Sequence, residues 1–438
     1  ALCKLANHFL KGTKNMTSIN TFYDKKGGKS GSRAGSRLKR LALLLTAFSL
    51  LLTVMGGCEK APERTEGWHA SWGMAAQQAG DSEIPTTVSL KENTLRQLIT
   101  PTLGGDKLRL TISNEYGSIP MIIDEVHIAK ADGLGSSKID TSTDTVLSFS
   151  GSSSVTIEPG VRMTSDELSF SVSSLEPLAV TIKFGKYTGG GITCHSTANT
   201  TCWIAEGDHV SDETMPQGET KSCWYFITGL DVWADAEANT IVCLGDSITD
   251  GVGAAYDNNT SWPDYLSSHL SGQNTSVINM GISGNILSGD WGVKSRLERD
   301  VLSIPGVTHC FLLIGINDIG GSTEDITDRL IADYKEILER CHEAGIKVYA
   351  CSMTPIKGSG YYSELHETIR VNCNEFLLSE DNGFDGVVDF SSAIAREDDP
   401  SQMKDEYNCS WGDFLHPGVA GYDVMGELAY EKFLEFNS

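Results

Sequence analysis

The 438-residue sequence predicts an α/β fold, a three-layer, doubly wound parallel sheet, preceded by a β-sandwich of jelly-roll type. Three observations carry this prediction. The chain is too long for one ordinary hydrophobic core. After a leader, its first half alternates apolar and polar residues with period two. Its second half then changes to short unbroken apolar runs separated by stretches of helical period. The expected boundaries are residues 1–58 for the leader, 59–235 for the sandwich and 236–438 for the α/β part.

The leader joins a basic stretch, "KKGGKSGSRAGSRLKR" at 25–40, to an apolar run, "LALLLTAFSLLLTVMGGC" at 41–58. Positive charge, a short apolar core and small residues make an export signal. Met16 is the more natural start, so residues 1–15 read as an over-extended beginning. The end of the run, "VMGGC", resembles the lipobox of bacterial lipoproteins, with Cys58 as the lipid-bearing first residue of the mature chain. An uncleaved membrane anchor is the alternative, since the run is at the short end of a span. Both readings place the remainder outside the cytoplasm, at a bacterial cell surface or in the periplasm.

Ten of the 34 Lys and Arg but only one of the 58 Asp and Glu fall in residues 1–58. Residues 59–438 therefore hold 24 basic against 57 acidic residues, a net charge of −33. Such a surface repels nucleic acid and anionic headgroups. Neutral or weakly charged substrates fit it better, and any membrane contact is expected only through the N-terminal lipid.

Strands of the sandwich are read from "DKLRLTISNEYGSIPMIIDEVHIAKA" and "LAVTIKFGKYTGGG", which alternate around Gly-containing turns. "CHSTANTTC", Cys194 to Cys202, has the spacing of a hairpin that a disulfide would clip. Cys243, Cys310, Cys341 and Cys351 lie in apolar contexts and read as core residues. Trp68, Trp72, Trp203 and Trp224 are read as packing residues, with glycan binding the alternative.

Beyond the linker "DVWADAEANT" (231–240), the runs "TIVCL", "SVINM", "HCFLLIG", "IKVYACS" and "GVVDF" read as buried parallel strands. Helices fit "TEDITDRLIADYKEILERCHEAG", "YSELHETIRVNCNEFLLSE" and the closing "GVAGYDVMGELAYEKFLEF". In such sheets ligands bind at the carboxyl ends of strands. Ser247, in "IVCLGDSITDG", follows the first run and occupies such an end.

A serine hydroxyl needs a base to become a nucleophile. Of ten histidines, one lies in the leader and His69, His127, His195 and His209 fall in the β-rich half. His269, His342 and His366 sit on helical stretches, and His309 opens a core strand. His416 differs: it follows Asp413 by three residues on a tight loop before the last helix, so base and orienting carboxylate can meet. Alone, that spacing also describes a helix cap beside a surface imidazole. No Walker loop, His-Glu-x-x-His or paired Cys-x-x-Cys occurs, so neither metal nor cofactor is expected.

Residues 241–251, "NMGISGN" (279–285), "GINDIG" (315–320) and "DFLH" (413–416) resemble, in order, the four blocks of the SGNH or GDSL hydrolases. "WPDYL", "MTPIKGSGYY", "FDGVVDF" and, earlier, "HASWGMAAQ", "LRLTISNEYG" and "SCWYFITGLDVW" are similar to one branch, arylesterases and acylhydrolases associated with xylan-degrading gene sets. The resemblance implies Ser247 as nucleophile, His416 as general base and acid and Asp413 as its orienter. It implies an oxyanion hole from the backbone N–H groups of Ser247 and Gly284 and the side-chain amide of Asn317. It also implies a short acyl ester, acetyl foremost, on plant polysaccharide such as xylan. A short-chain carboxylesterase, lysophospholipase or lipase, and a carbohydrate-binding protein with a vestigial catalytic part, are the alternatives.

Overall fold

All but the first residue of the strand Asn239–Gly245 are buried, as required of a strand covered on both faces. Its neighbours have the same character, and together they form one five-stranded, all-parallel sheet. The spatial order is Thr275–Gly281, Asn239–Gly245, Val307–Leu313, Lys347–Cys351, Gly386–Val388. The chain thus leaves its first strand to one side and later crosses to the other. The switch in direction falls at the carboxyl end of Asn239–Gly245, where a crevice opens in doubly wound sheets, and Ser247 stands there. The computed structural model describes residues 66–186 and 190–438. The leader, with Cys58 and its expected lipidation, lies outside the described residues.

Helices connect the strands where the sequence period changes to 3.6. Thr327–Glu343 buries Leu330, Tyr334, Ile337, Leu338 and Cys341 on one face and packs on Glu364–Leu378. Val419–Phe436 packs on Trp262–His269, whose start is fixed by a reciprocal cap between Ser261 and Asp264. Gly426 permits that approach, since a Cβ there would collide with the Cβ of Tyr265. Each fully buried Leu or Ile of this core contributes roughly 1.5–3 kcal/mol.

The β-rich half consists mainly of two antiparallel sheets around a shared core. One runs Gly67–Gly73, Ile227–Ala234, Gly105–Ser113, Arg162–Thr164; the other is built on Thr94–Ile99, Leu178–Phe184 and Met121–Lys130. In Gly105–Ser113, Leu108, Leu110 and Ile112 point inward and Lys107, Arg109 and Thr111 outward. Met121–Lys130 changes phase: Met121 and Ile123 face the core, then Val126 and Ile128. An irregular pairing opposite Lys183 and Phe184 absorbs the extra residue. Trp72 packs edge-on against Trp224 and Trp68 against Trp233, the packing role expected of these rings.

The expected Cys194–Cys202 hairpin is not formed. Thr193–His195 pairs with Gln77–Gln78 and Trp224–Tyr225 in a small third sheet, whereas Cys202–Ala205 belongs to the large one. Both cysteines are free thiols. The segment between them runs over the α/β part, where the Asn199 amide donates to the Gly251 carbonyl and Thr201 donates to Asp257. Turn-rich composition between two strands mimics a hairpin even when each strand joins a different sheet.

The described residues from 66 onward belong to one compact unit. Thr102 is one of its seams: its hydroxyl reaches the carbonyl of Val277 and accepts from the Val277 N–H at 3.0 Å. At the end of that strand Gly281 meets the turn carrying Ser247 so closely that a Cβ would strike the backbone of Asp250. Backbone cannot yield as a side-chain tip can. Gly281→Ala is therefore expected to lose about 1–3 kcal/mol of stability, read as a lower urea midpoint at unchanged m-value. A midpoint equal to that of the unchanged protein would contradict this contact.

Candidate active site

Ser247 is the first residue of a single helical turn, Ser247–Asp250, entered directly from the strand. Asp246 caps the turn, its carboxylate accepting from the Ile248 N–H at 3.1 Å. Gly251, at φ 104°, ends it in the left-handed region. Gly245 is required because a Cβ would collide with the Leu313 carbonyl and the Thr249 side chain. The serine is thus held rigidly and is 6% exposed.

Its Oγ lies 2.9 Å from Nε2 of His416. On the other side of the ring, Nδ1 lies 2.8 Å from Oδ2 of Asp413. A carboxylate only accepts, so the hydrogen belongs on Nδ1 and Nε2 keeps a lone pair toward Ser247. The loop sets this geometry locally. Oδ1 of Asp413 accepts the N–H groups of Leu415 and His416, each at 2.9 Å, and the Trp411 indole donates to Oδ2 at 2.7 Å. Phe414 takes a positive φ of 55° to close the turn. Burial alone would raise the Asp413 pKa, but the bonds from His416, Leu415 and Trp411 outweigh it and hold the carboxyl well below the usual range.

Gly284 and Asn317 follow the carboxyl ends of the two strands that flank Asn239–Gly245. Gly284 is exposed with φ 77°, and a Cβ there would meet nothing within 4 Å, so glycine serves conformation here and not space. Asn317 lies in the turn Ile316–Gly320. Its amide donates one hydrogen to the Asn285 carbonyl at 2.9 Å, and Tyr361 donates to its oxygen at 3.0 Å. The second amide hydrogen remains for another acceptor. The structure therefore brings Ser247, His416 and Asp413 into one hydrogen-bonded chain and orients the Asn317 amide.

Several residues that hold the site were not anticipated. Arg296, fully buried, donates to the carbonyls of Gly245 and Met280 and to Asn285 Oδ1, and pairs with Asp300 at 2.9 Å. The available signal was an Arg and an Asp four apart on an otherwise apolar helical face, Val293, Leu297 and Val301. Asp318 accepts from the Leu287 N–H at 2.9 Å, fixing the far end of the same loop.

Residues 243–424 match the sequence profile of the family described as GDSL-like Lipase/Acylhydrolase. This segment is a GDSL-type hydrolase. Among curated proteins, none matches the chain. Solved structures similar to it include an acetylxylan esterase from Geobacillus stearothermophilus (21% identity, 44% of this chain and 93% of that one, TM-score 0.34). Others are the inhibitor-bound aryl esterase of M. smegmatis (17%, 45% and 100%, 0.37) and a GDSL-like lipase from Bacteroides thetaiotaomicron (17%, 45% and 88%, 0.35).

Beneath the GDSL-type site lie buried carboxyls whose charge is disfavoured. Burial, with Asp318 and Asp250 nearby, pushes Asp246 up to about 7 against the opposing Ile248 N–H and Arg296. The folded protein thus binds this proton more tightly than the unfolded chain, and stability from this group falls as pH rises from about 4 to about 7. The slope is at most about 1.4 kcal/mol per pH unit. Asp246→Asn keeps the capping oxygen without the ionisation. Its melting temperature is expected to match the parent near pH 4 and to exceed it progressively up to pH 8; a gap independent of pH would contradict the assignment.

Proposed function

We propose that the protein hydrolyses short acyl esters, acetyl foremost, on plant polysaccharide such as xylan, through a Ser247–His416–Asp413 triad and an acyl-enzyme. The observation that carries the chemistry is the chain Asp413–His416–Ser247 with bonds of 2.8 and 2.9 Å. Ser247 Oγ attacks the ester carbonyl carbon as its proton passes to Nε2 of His416, and Asp413 stabilises the imidazolium. The oxyanion is received by the N–H groups of Ser247 and Gly284 and the Asn317 amide. The first N–H of a helical turn has no intrahelical acceptor, so that of Ser247 suits this role. Collapse breaks the bond to the alcohol, which takes the proton from His416. Water then attacks the acyl-serine, His416 removes its proton, and the carboxylic acid leaves as Ser247 is reprotonated.

Two features support a short acyl group on a sugar. The segment 286–304 is where an acyl groove would be built, yet its Leu287, Val293, Leu297 and Val301 are wholly buried in the core. A long chain finds no apolar channel there, which disfavours the lipase and lysophospholipase readings. Exposed tryptophans flank the site instead: Trp411, 59% exposed, bonds to Asp413, and Trp291, 54% exposed, follows the Gly284 loop. A groove of about 420 Å3 between Gln77, Tyr116, Asp290, Trp291 and Arg299 opens beside that loop. Aromatic faces with polar neighbours suit a neutral polysaccharide, as does the net charge outside the leader. The branch resemblance points the same way, and two antiparallel sheets around one core support the jelly-roll reading of the β-rich half. We place the enzyme outside the cytoplasm, tethered through Cys58. A vestigial site is disfavoured by the intact hydrogen-bonded chain.

Ser247→Ala and His416→Ala are each expected to lower kcat on an aryl acetate by on the order of 10⁶-fold, and Asp413→Asn by about 10⁴-fold. Retained turnover in folded Ser247→Ala would overturn the mechanism. For the substrate, acetate release from acetylated xylan is measured beside aryl esters from acetyl to palmitoyl. Release from the polymer with a steep decline beyond short chains is expected; turnover of long esters alone would transfer the enzyme to lipids.

A further inference from the structure

One histidine of the β-rich half reaches the GDSL-type site. His195 ends the strand Thr193–His195, stacks 5.9 Å from Trp224 and is 4% exposed. Nδ1 lies 2.9 Å from the carbonyl oxygen of Ala75, and Nε2 lies 2.8 Å from Oδ1 of Asp250. Both partners are acceptors. A neutral imidazole has one hydrogen and satisfies one of them; an imidazolium satisfies both. The second oxygen of Asp250 already accepts the Ser283 N–H at 2.7 Å and the Ser283 hydroxyl at 2.6 Å, which favours an ionised carboxylate. Thr197, two residues beyond His195, lies 2.9 Å from the same hydroxyl.

Ser283 immediately precedes Gly284. We propose that the His195–Asp250 ion pair positions the oxyanion loop, the β-rich half supplying through His195 the charge that fixes Ser283 and hence the direction of the Gly284 N–H. His195, Asp250 and Ser283 are positioning residues: none touches the ester. The inference rests on the role given to Gly284 above. A small displacement suffices for a large effect, since a reacting group misplaced by about 1 Å loses about 100-fold in rate. The charge state is consistent with the surroundings. Burial disfavours the imidazolium, but the Asp250 charge, its hydrogen bond and the Ala75 carbonyl outweigh it and raise the His195 pKa, with Arg296 the opposing charge. The pair is lost as pH rises through that raised pKa.

The test measures kcat and KM for an aryl acetate in full-length His195→Gln, Asp250→Asn, Ser283→Ala and the His195→Gln/Ser283→Ala double variant. Each single variant is expected to lower kcat about 10- to 100-fold with KM within about twofold, the two lesions combining less than multiplicatively because they act through one link. The unchanged protein is expected to lose kcat on the alkaline side, and His195→Gln to lack that limb. Ser283→Ala removes only a partly exposed hydroxyl, so it remains informative if His195→Gln fails to fold. Folded Ser283→Ala with undiminished kcat, or an alkaline limb unchanged in His195→Gln, would overturn the positioning role while leaving the hydrolase intact. No ester turnover by the unchanged protein would overturn the hydrolase reading, and this one with it.

Discussion

The buried guanidinium of Arg296 is the interaction on which the site's framework depends. It binds the last carbonyl of one strand, Gly245, and the last but one of its neighbour, Met280, together with the Asn285 side chain and Asp300. The Gly245 carbonyl also accepts from the Ile282 N–H at 3.1 Å, so the guanidinium fills its second acceptor position, and buried acceptors left without donors are costly. One planar donor fork answers several of them at once. The ion pair with Asp300 offsets the desolvation of the charge, and removing one partner of such a pair typically costs about 3–5 kcal/mol. The Ser247 turn springs from Gly245 and the Gly284 loop from Gly281, so a single side chain ties the starts of both together.

Close backbone contact is the second constraint. Gly245 and Gly281 bring strand ends against the Ser247 turn where any side chain would intrude. The result is a site built almost wholly from backbone direction and short polar side chains, with the apolar residues of 286–304 turned into the core. That arrangement leaves Ser247 near the surface without a deep channel.

Much of this was legible in the sequence, for particular reasons. Unbroken apolar runs such as Ile241–Leu244 identify parallel strands because burial on both faces leaves little room for polar residues. Asp413 and His416 were legible because their contact is local, a single tight turn. Asp250, His195 and Arg296 were not, since their partners lie on other elements: His195 and Asp250 are 55 residues apart, and Arg296 and Gly245 are 51 apart. Nothing in the local composition of "CHS" distinguishes a loop histidine from one that crosses a junction. The same reason explains the misread hairpin at Cys194–Cys202, where composition reports turns but not which sheet each flanking strand joins.

The two buried-side histidines show how partners alone divide one side chain into two functions. His416 stands between a carboxylate and a hydroxyl. A hydroxyl both donates and accepts, so Nε2 can take a proton and return it, as the proposed mechanism requires. His195 stands between a carbonyl and a carboxylate, and neither a carbonyl nor an ionised carboxylate donates. Release of a proton there would leave one buried acceptor without a hydrogen, so the imidazolium is favoured and the ring serves as a cation until pH rises through its raised pKa. A histidine that must cycle needs an ambivalent partner; one that must hold a loop still needs two acceptors. The chain places both kinds on opposite flanks of the Ser247–Asp250 turn, the mobile proton at its first residue and the fixed charge at its last.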